Sequence, residues 1–260
     1  MLLKNFSFRK NGSELLYFFD KNSSGKGIRE ISPRDFCVEK DIYTQYEEDG
    51  SRDVSEEKDF SRLEARTGKI TKKIMEAVRT KKRLRLSRNE RRTLCHFFLR
   101  QGFRIPDRSD SIAGRDFIIR SVSNPETLKK PRKEIDASRA KERLKFLTRY
   151  SEPPEEILSF FEGKDPVVRV VSDGEENFVI GSNPVLLMEP DNHLPEIWLP
   201  IASNVAVTPC STRGNDGFIE SGDLDIHSFN KDVFVQSRMI AGNSEKLIRS
   251  IVSGWGSELI

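Results

Sequence analysis

Residues 60–77, FSRLEARTGKITKKIMEA, carry apolar or small side chains at every third or fourth position. These positions are Phe60, Leu63, Thr67, Ile70, Ile74 and Ala77. The spacing follows the 3.6-residue turn of an α-helix, so it predicts an amphipathic helix with one side facing a core. Ser55 is a candidate N-cap of this helix, and Glu56 and Glu57 suit the positive end of its dipole.

Other local patterns predict further helices. Ser87 and Glu90 have the spacing of a capping box, which would begin a helix that ends before Pro106. The remaining predicted helices cover about residues 136–149, the residues after Pro153-Pro154, and Lys231–Val252 with Asn230 as a candidate cap.

Strand patterns occur towards both ends of the chain. The predicted strands are residues 14–20 with a partner at 28–32, a hairpin of 167–171 and 177–180 around a turn at 172–174, and two short strands at 197–200 and 205–207. The order β, α, β, α predicts an α+β fold. In this fold a helical basic middle packs on, or is inserted into, a small antiparallel sheet, and a long C-terminal helix closes the chain. We expect one domain with a β-rich segment 1–53, a helical part 54–163 and a C-terminal part 164–260.

Composition limits the class of protein. The 260 residues include 44 Lys and Arg against 41 Asp and Glu, a net charge of +3, and 36% are apolar. The chain is too apolar for a disordered protein, and it contains no apolar run near the roughly 18 residues that a membrane span needs. The three cysteines, Cys37, Cys95 and Cys210, are far apart and odd in number, which favours free thiols and a cytoplasmic location.

The charge is unevenly distributed along the chain. Residues 65–149 contain 26 basic and 9 acidic side chains, whereas residues 150–260 contain 7 and 18. A basic segment attracts phosphates, so a polyanion such as nucleic acid is the expected partner. The candidate binding residues are Arg79, Lys81, Lys82, Arg83, Arg85, Arg88, Arg91 and Arg92, with a second basic stretch at Lys129–Arg149. The alternative is that the basic middle packs against the acidic C-terminal part, since no aromatic side chain interleaves with the Arg/Lys run as base stacking requires.

Several polar side chains interrupt the predicted apolar faces. They are Gln101 and Arg104 on the second helix, Gln236 and Asn243 on the last helix, and Ser182 and Asn183 in the polar turn 181–184. A buried amide without partners costs about 1–3 kcal/mol, so these groups need partners inside the fold. They are candidates for one ligand pocket. The alternative is that they only tie helix ends and loops together.

Two glutamates suggest a metal-assisted reaction as an alternative function. Glu57 and Glu64 are seven residues apart, so both project from one edge of the first long helix, and Arg104 is a candidate partner of either. Carboxylates bind hard divalent cations and an arginine stabilises charge, which together would suit a phosphodiester hydrolase. These three side chains are the candidate catalytic residues.

Common cofactor and metal motifs are absent from the sequence. The three histidines, His96, His193 and His227, lack paired metal-ligand spacing, and there is neither a P-loop nor a dinucleotide-binding glycine motif. We therefore expect no cofactor and no metal centre of a common type. A protein-interaction module without chemistry is a further alternative.

Six short segments occur in a characteristic order. They are Leu3–Ser7, Asp41–Thr44, Glu57 with Glu64, Arg104–Pro106, Phe178–Val185 and Leu199–Ala202. In this order and spacing they resemble the family called domain of unknown function 4238 (DUF4238) over nearly the whole chain. The resemblance implies a soluble, bacterial protein, and it implies no particular activity.

Two positions depart from the family pattern. The family has a His-aromatic-x-Pro motif before the segment that Leu2–Phe6 resembles, whereas this sequence begins inside that segment at Met1. The family also has an acidic residue where this chain has Ser182. If the family's histidine and aspartate form an active site, this chain lacks both, either by degeneration or by truncation of its start. The resemblance therefore implies a non-catalytic or degenerate member.

Overall fold

Two β-sheets and a set of helices build the protein, in agreement with the predicted α+β class. The structure is a computed structural model that describes residues 2–23, 27–36, 45–46, 52–103, 153, 155–171, 176–188, 196–209 and 217–255. Its helices are a 3-10 helix at Leu2–Phe6, α1 (Ser55–Thr80), α2 (Arg88–Phe103), α3 (Glu155–Glu162), α4 (Asp223–Gln236) and α5 (Glu245–Trp255). Its strands are β1 (Phe8–Lys10), β2 (Ser13–Asp20), β3 (Arg29–Ile31), β4 (Gln45–Tyr46), β5 (Arg52–Asp53), β6 (Val167–Val171), β7 (Ile180–Gly181), β8 (Leu186–Met188), β9 (Glu196–Ala202), β10 (Val205–Thr208), β11 (Gly217–Ser221) and β12 (Met239–Gly242).

The first sheet joins the two ends of the chain. Its strand order is β1-β2-β12-β7, with β3 also paired to β2. The predicted pairing of residues 14–20 with 28–32 is confirmed, because β2 and β3 are antiparallel with Leu16 opposite Ile31. Strand β12 lies between β2 and β7, with Ala241 opposite both Phe18 and Ile180. The short strands β4 and β5 pair separately with each other.

The second sheet has the order β11-β6-β10-β9-β8. All of its pairs are antiparallel except β11 with β6. Its two faces bury different cores, because successive side chains of a strand point to opposite sides. Val167 packs in the core that contains α4, α5 and the first sheet, whereas Val168 packs in the core that contains α1 and α2. The second sheet is therefore a middle layer.

Helices α1 and α2 form as the sequence predicts. In α1 the predicted stripe is buried, with Leu63 at 1% and Ile74 at 0% exposure. The capping box that begins α2 is present: the Ser87 amide donates to the Glu90 carboxylate at 2.7 Å, and the Glu90 amide donates to Ser87 Oγ at 3.3 Å. The N-cap prediction for α1 is wrong, because Val54 holds that position and no side chain caps the helix.

The predicted long helix over Lys231–Val252 is wrong in its extent. The chain instead forms α4, then strand β12, then α5. Asn230 is not a cap but lies inside α4, fully buried. The helix is interrupted because residues 239–242 supply the strand that joins β2 to β7, and Ser244 Oγ then accepts the amide of Leu247 to begin α5.

The predicted hairpin of residues 167–171 and 177–180 is also wrong. Strand β6 pairs with β10 and β11 in the second sheet, whereas β7 pairs with β12 in the first. The two segments therefore belong to different sheets. The strands predicted at 197–200 and 205–207 are confirmed as β9 and β10, which pair with each other. The predicted helix after Pro153 is confirmed as α3. The predicted helix at 136–149 lies outside the described residues.

Candidate functional site

The arginines at the start of α2 are paired with α3. Nε of Arg88 lies 2.6 Å from Oε2 of Glu162, and Nη1 of Arg92 lies 2.7 Å from Oε1 of the same carboxylate. Arg92 also donates to Oε1 of Glu155 at 2.7 Å. The Glu162 side chain is only 7% exposed. It is therefore a buried carboxylate that binds two guanidinium groups where α3 packs against α2.

Arg91 fixes the chain on both sides of this contact. Its guanidinium donates to the backbone oxygens of Glu162 at 2.7 Å and Leu86 at 3.0 Å. It also lies 3.0 Å from the carboxylate of Asp165. Three of the eight candidate binding cations are thus engaged by the segment 155–165. For these three, the structure has the intramolecular pairing that the sequence left open as an alternative.

These ion pairs make part of the stability pH-dependent. Arg92 holds the pKa of the carboxyls of Glu155 and Glu162 below their ordinary value of 4.5, and Arg88 adds to the effect on Glu162. A lowered folded-state pKa gives stability that is fully present above the ordinary value and is lost as the pH falls through the folded-state pKa.

We expect Glu162→Gln to remove much of this acid dependence. The wild-type midpoint of urea unfolding should fall as the pH is lowered from 6 to 3, and the variant should start lower and fall less. Glu156→Gln is the matched control, since Glu156 lies on the same helix, is exposed and makes no ion pair with a described residue. Parallel pH profiles for Glu162→Gln and wild type would contradict the role of this carboxylate.

The segment between α1 and α2 carries a different set of cations. We call Lys81, Lys82, Arg83 and Arg85 the connector cations. All four are exposed, whereas Leu84 is buried in the core with α1 and α2. None of the four forms an ion pair with any residue that the structure describes. The connector is the unpaired part of the predicted basic run, since the remaining member, Arg79, binds Glu76 on α1.

The connector is held in a fixed conformation. Lys81 ends α1 with a left-handed φ of 51°, and the Lys82 amide donates to the Ala77 oxygen at 3.0 Å. Leu84 and Leu86 then point inward while Arg83 and Arg85 point outward, as in an extended chain. A shallow pocket of about 350 Å³ opens beside Arg83. The residues that line it are Arg83, Leu84, Asp165, Pro166, Gly217 and Phe218.

Some of the predicted pocket residues meet around the turn 181–184. Ser182 Oγ accepts the amides of Arg238 and Met239, both at 3.1 Å, just beyond the end of α4 where Gln236 lies. The side chain of Asn183 is buried, and its Oδ1 has no hydrogen-bond partner among the described residues.

The end of α2 lies near the same turn. A Cβ placed on Gly102 would be 4.0 Å from Cγ1 of Val185, so the last turn of α2, in which Gln101 lies, reaches this neighbourhood. Asn243 does not, because it follows the opposite end of β12. Arg104 lies outside the described residues, so the ligand pocket stays a prediction.

The two candidate metal ligands lie on α1 on either side of Phe60, whose ring packs against Phe97 and Arg100 of α2. Glu57 and Glu64 are both exposed on α1, about 10 Å apart along its axis. Within the described ranges no three His, Cys, Asp or Glu side chains gather as a metal site would require. The catalytic role of Glu57, Glu64 and Arg104 stays a prediction. Cys95 is buried and forms no disulfide with a described residue.

Several sequence predictions fall outside the described part of the chain. These are Cys37, Asp41–Thr44, Lys129–Arg149, His193 and Cys210.

Two features of the structure were not located from the sequence. The sequence left open that the basic middle pairs with the acidic C-terminal part, but one missing feature is the identity of the partners, the α2 arginines with Glu155, Glu162 and Asp165, for which the acidic composition of residues 150–165 was an available signal. The other is Asn230, which bridges α4 to the chain before β7 and has no sequence signal of its own.

A comparison with protein-family models finds one match. The model of the family described as "Protein of unknown function (DUF4238)" matches residues 1–213. Neither the curated proteins nor the solved structures contain a significant match. Of the helices that the structure describes, none has the length and apolar character to cross a membrane.

Proposed function

The chain belongs to the DUF4238 family, and we propose that it is a non-catalytic protein that binds a polyanion, such as nucleic acid, through the connector cations. The observation that carries this proposal is the contrast within one basic run. The arginines of α2 are paired with α3, whereas all four connector cations are exposed and unpaired among the described residues. Pairing with the acidic part of the chain therefore accounts for three of the eight cations of the run. Arg79 is paired within α1, and the four connector cations are left available.

The geometry of the connector suits phosphate contacts. Arg83 and Arg85 are two residues apart in an extended segment, so their Cα atoms are about 6.6 Å apart and their side chains leave on the same side. The buried Leu84 between them fixes that orientation. Each phosphate that such a cation neutralises releases a condensed counterion, which makes binding weaken as salt rises.

The expected result is salt-dependent binding that depends on the connector. For duplex DNA, a plot of the logarithm of the association constant against the logarithm of the salt concentration should have a slope of about −3.6 or steeper, since four phosphate contacts contribute about −0.9 each. The variant K81N/K82A/R83A/R85A should lose about that much of the slope. Asparagine is used at position 81 because it tolerates the left-handed backbone better than alanine does. Fluorescence anisotropy between 50 and 200 mM salt measures this.

A smaller pair of variants separates position from net charge. K82A/R85A and R9A/R34A each remove two exposed cations, and Arg9 and Arg34 lie on β1 and after β3, away from the connector. Only K82A/R85A should lower the slope, by about 1.8. Equal losses for the two pairs, or no binding by the wild type at 50 mM salt, would overturn the proposal.

A further inference from the structure

The exposed side of α1 carries a second set of unpaired cations. We call Arg66, Lys69 and Lys72 the helix cations. All three are exposed, and none forms an ion pair with a described residue. At 100° per residue they span about 120° of the helix surface. Lys69 and Lys72 face away from Leu63 and Ile74, whereas Arg66 lies at the edge of the buried face, about 60° from Leu63. The three exposed side chains therefore wind along α1 from the edge of its buried face onto its solvent face.

The connector cations follow the helix cations along the chain. Lys81 directly follows the last residue of α1, and the Lys82 amide donates to the Ala77 oxygen at 3.0 Å. Ala77 lies five residues beyond Lys72 on the same helix, about 7.5 Å along its axis. The helix cations therefore lead into the connector, and the two sets form a single basic track of seven side chains.

We propose that this track is a binding surface for double-stranded nucleic acid, contacted at its phosphates without base readout. This inference rests on the proposed function and names the class of polyanion that is bound. From Arg66 to Lys81 the track follows α1 for about 22 Å, at 1.5 Å per residue. That length matches six to seven base pairs, at 3.4 Å each. A small anion would occupy only a fraction of the track, whereas a rigid linear polyanion of this length engages all of it.

The side chains of the track favour a duplex over a single strand. Proteins that bind single strands stack bases on exposed aromatic rings. On the described part of α1 and the connector no aromatic ring is exposed, since Phe60 is 3% exposed. Phe218 lines the pocket beside Arg83, but it is half-buried against the core of α1 and α2. Phosphate contacts alone are sequence-independent, so we expect no preference among duplex sequences.

The decisive measurement compares the two halves of the track on one duplex. A 12-base-pair DNA is titrated at 50 and 200 mM salt with the wild type, R66A/K69A/K72A and the connector variant. With seven contacts, wild-type affinity should fall about 6,000-fold over this range. With the helix cations removed it should fall about 150-fold, and with the connector cations removed about 40-fold. R9A/R34A/R249A removes the same charge as the helix variant elsewhere on the surface and should behave as the wild type. Urea unfolding of each variant verifies that it is folded.

The outcomes separate this inference from the proposed function. If R66A/K69A/K72A behaves as the wild type while the connector variant loses its salt dependence, the helix cations are not part of the site and the proposed function stands. If neither variant changes the salt dependence, both fail. A single strand of the same length that binds as tightly as the duplex would overturn the assignment of double-stranded nucleic acid as the ligand.

Discussion

Replacing Asn230 with leucine is expected to lower the free energy of unfolding by about 4 kcal/mol. The Asn230 side chain is fully buried in α4. Its Oδ1 accepts the Val179 amide at 3.0 Å, and its Nδ2 donates to the Asn177 oxygen at 2.8 Å. Leucine has a similar volume but no polar atoms, so one backbone donor and one backbone acceptor lose their partners. A buried unsatisfied group costs about 1–3 kcal/mol, and two such groups give the expected value.

Two further variants test that explanation. Ser228→Leu places the same side chain at an exposed position of α4 and should change the free energy of unfolding by less than about 0.5 kcal/mol. Asn230→Asp keeps an acceptor for Val179 but buries a carboxyl, whose pKa rises in the folded state. That variant should lose stability as the pH rises above about 4, the unfolded-state value. A loss below about 1 kcal/mol for Asn230→Leu would contradict the bridge.

The sequence predicts α1 and α2 well because their signals are local. The stripe from Phe60 to Ala77 is the whole reason that α1 is amphipathic, and every member of it is buried. The capping box of Ser87 and Glu90 likewise depends on residues three positions apart. Neither feature needs a partner from a distant part of the chain.

The prediction of one long C-terminal helix is wrong because the deciding contacts are not local. Val233, Ile240 and Leu247 are seven residues apart, which also suits one helix, but Ile240 lies in a strand opposite Phe19. Its partner is about 220 residues earlier in the sequence, so no local window contains the information. The same holds for the predicted hairpin of residues 167–171 and 177–180. The sequence 172–174 favours a turn, but the strands before and after it belong to two different sheets.

The sequence predicts where the basic residues of the candidate surface lie, but not which of them are neutralised by ion pairs in the fold. Segregation of basic and acidic residues is visible in the sequence, and the exposed connector cations belong to the predicted set. Which arginines become neutralised depends on the packing of α3 against α2, a contact between residues more than 60 positions apart. The helix cations give no separate charge signal in the sequence, because they alternate with the apolar stripe of α1 and do not form a continuous basic run.

Gly181→Ala is expected to cost about 3 kcal/mol, near the upper end of the usual range for overpacking. A Cβ at this position would lie 1.9 Å from Ser237 Oγ and 2.7 Å from Ser237 Cβ. Ser237 is buried and fixed at the end of α4, where its Oγ accepts the Asn183 amide at 3.3 Å and donates to the Asn183 oxygen at 3.4 Å. Strand β7 cannot shift away, since Gly181 pairs with Ile240 in the first sheet.

A double-mutant cycle identifies the clash as the cause. Ser237→Gly removes both of the close atoms, so Gly181→Ala combined with Ser237→Gly should cost clearly less than the sum of the two single changes. Gly254→Ala is the control, because a Cβ there meets nothing within 4 Å. Since Gly254 lies in α5, that change should raise stability by about 0.5–1 kcal/mol through helix propensity. Additive losses at positions 181 and 237, measured by urea unfolding, would show that the two residues are not in contact. The turn 181–184 would then be positioned by something other than the end of α4.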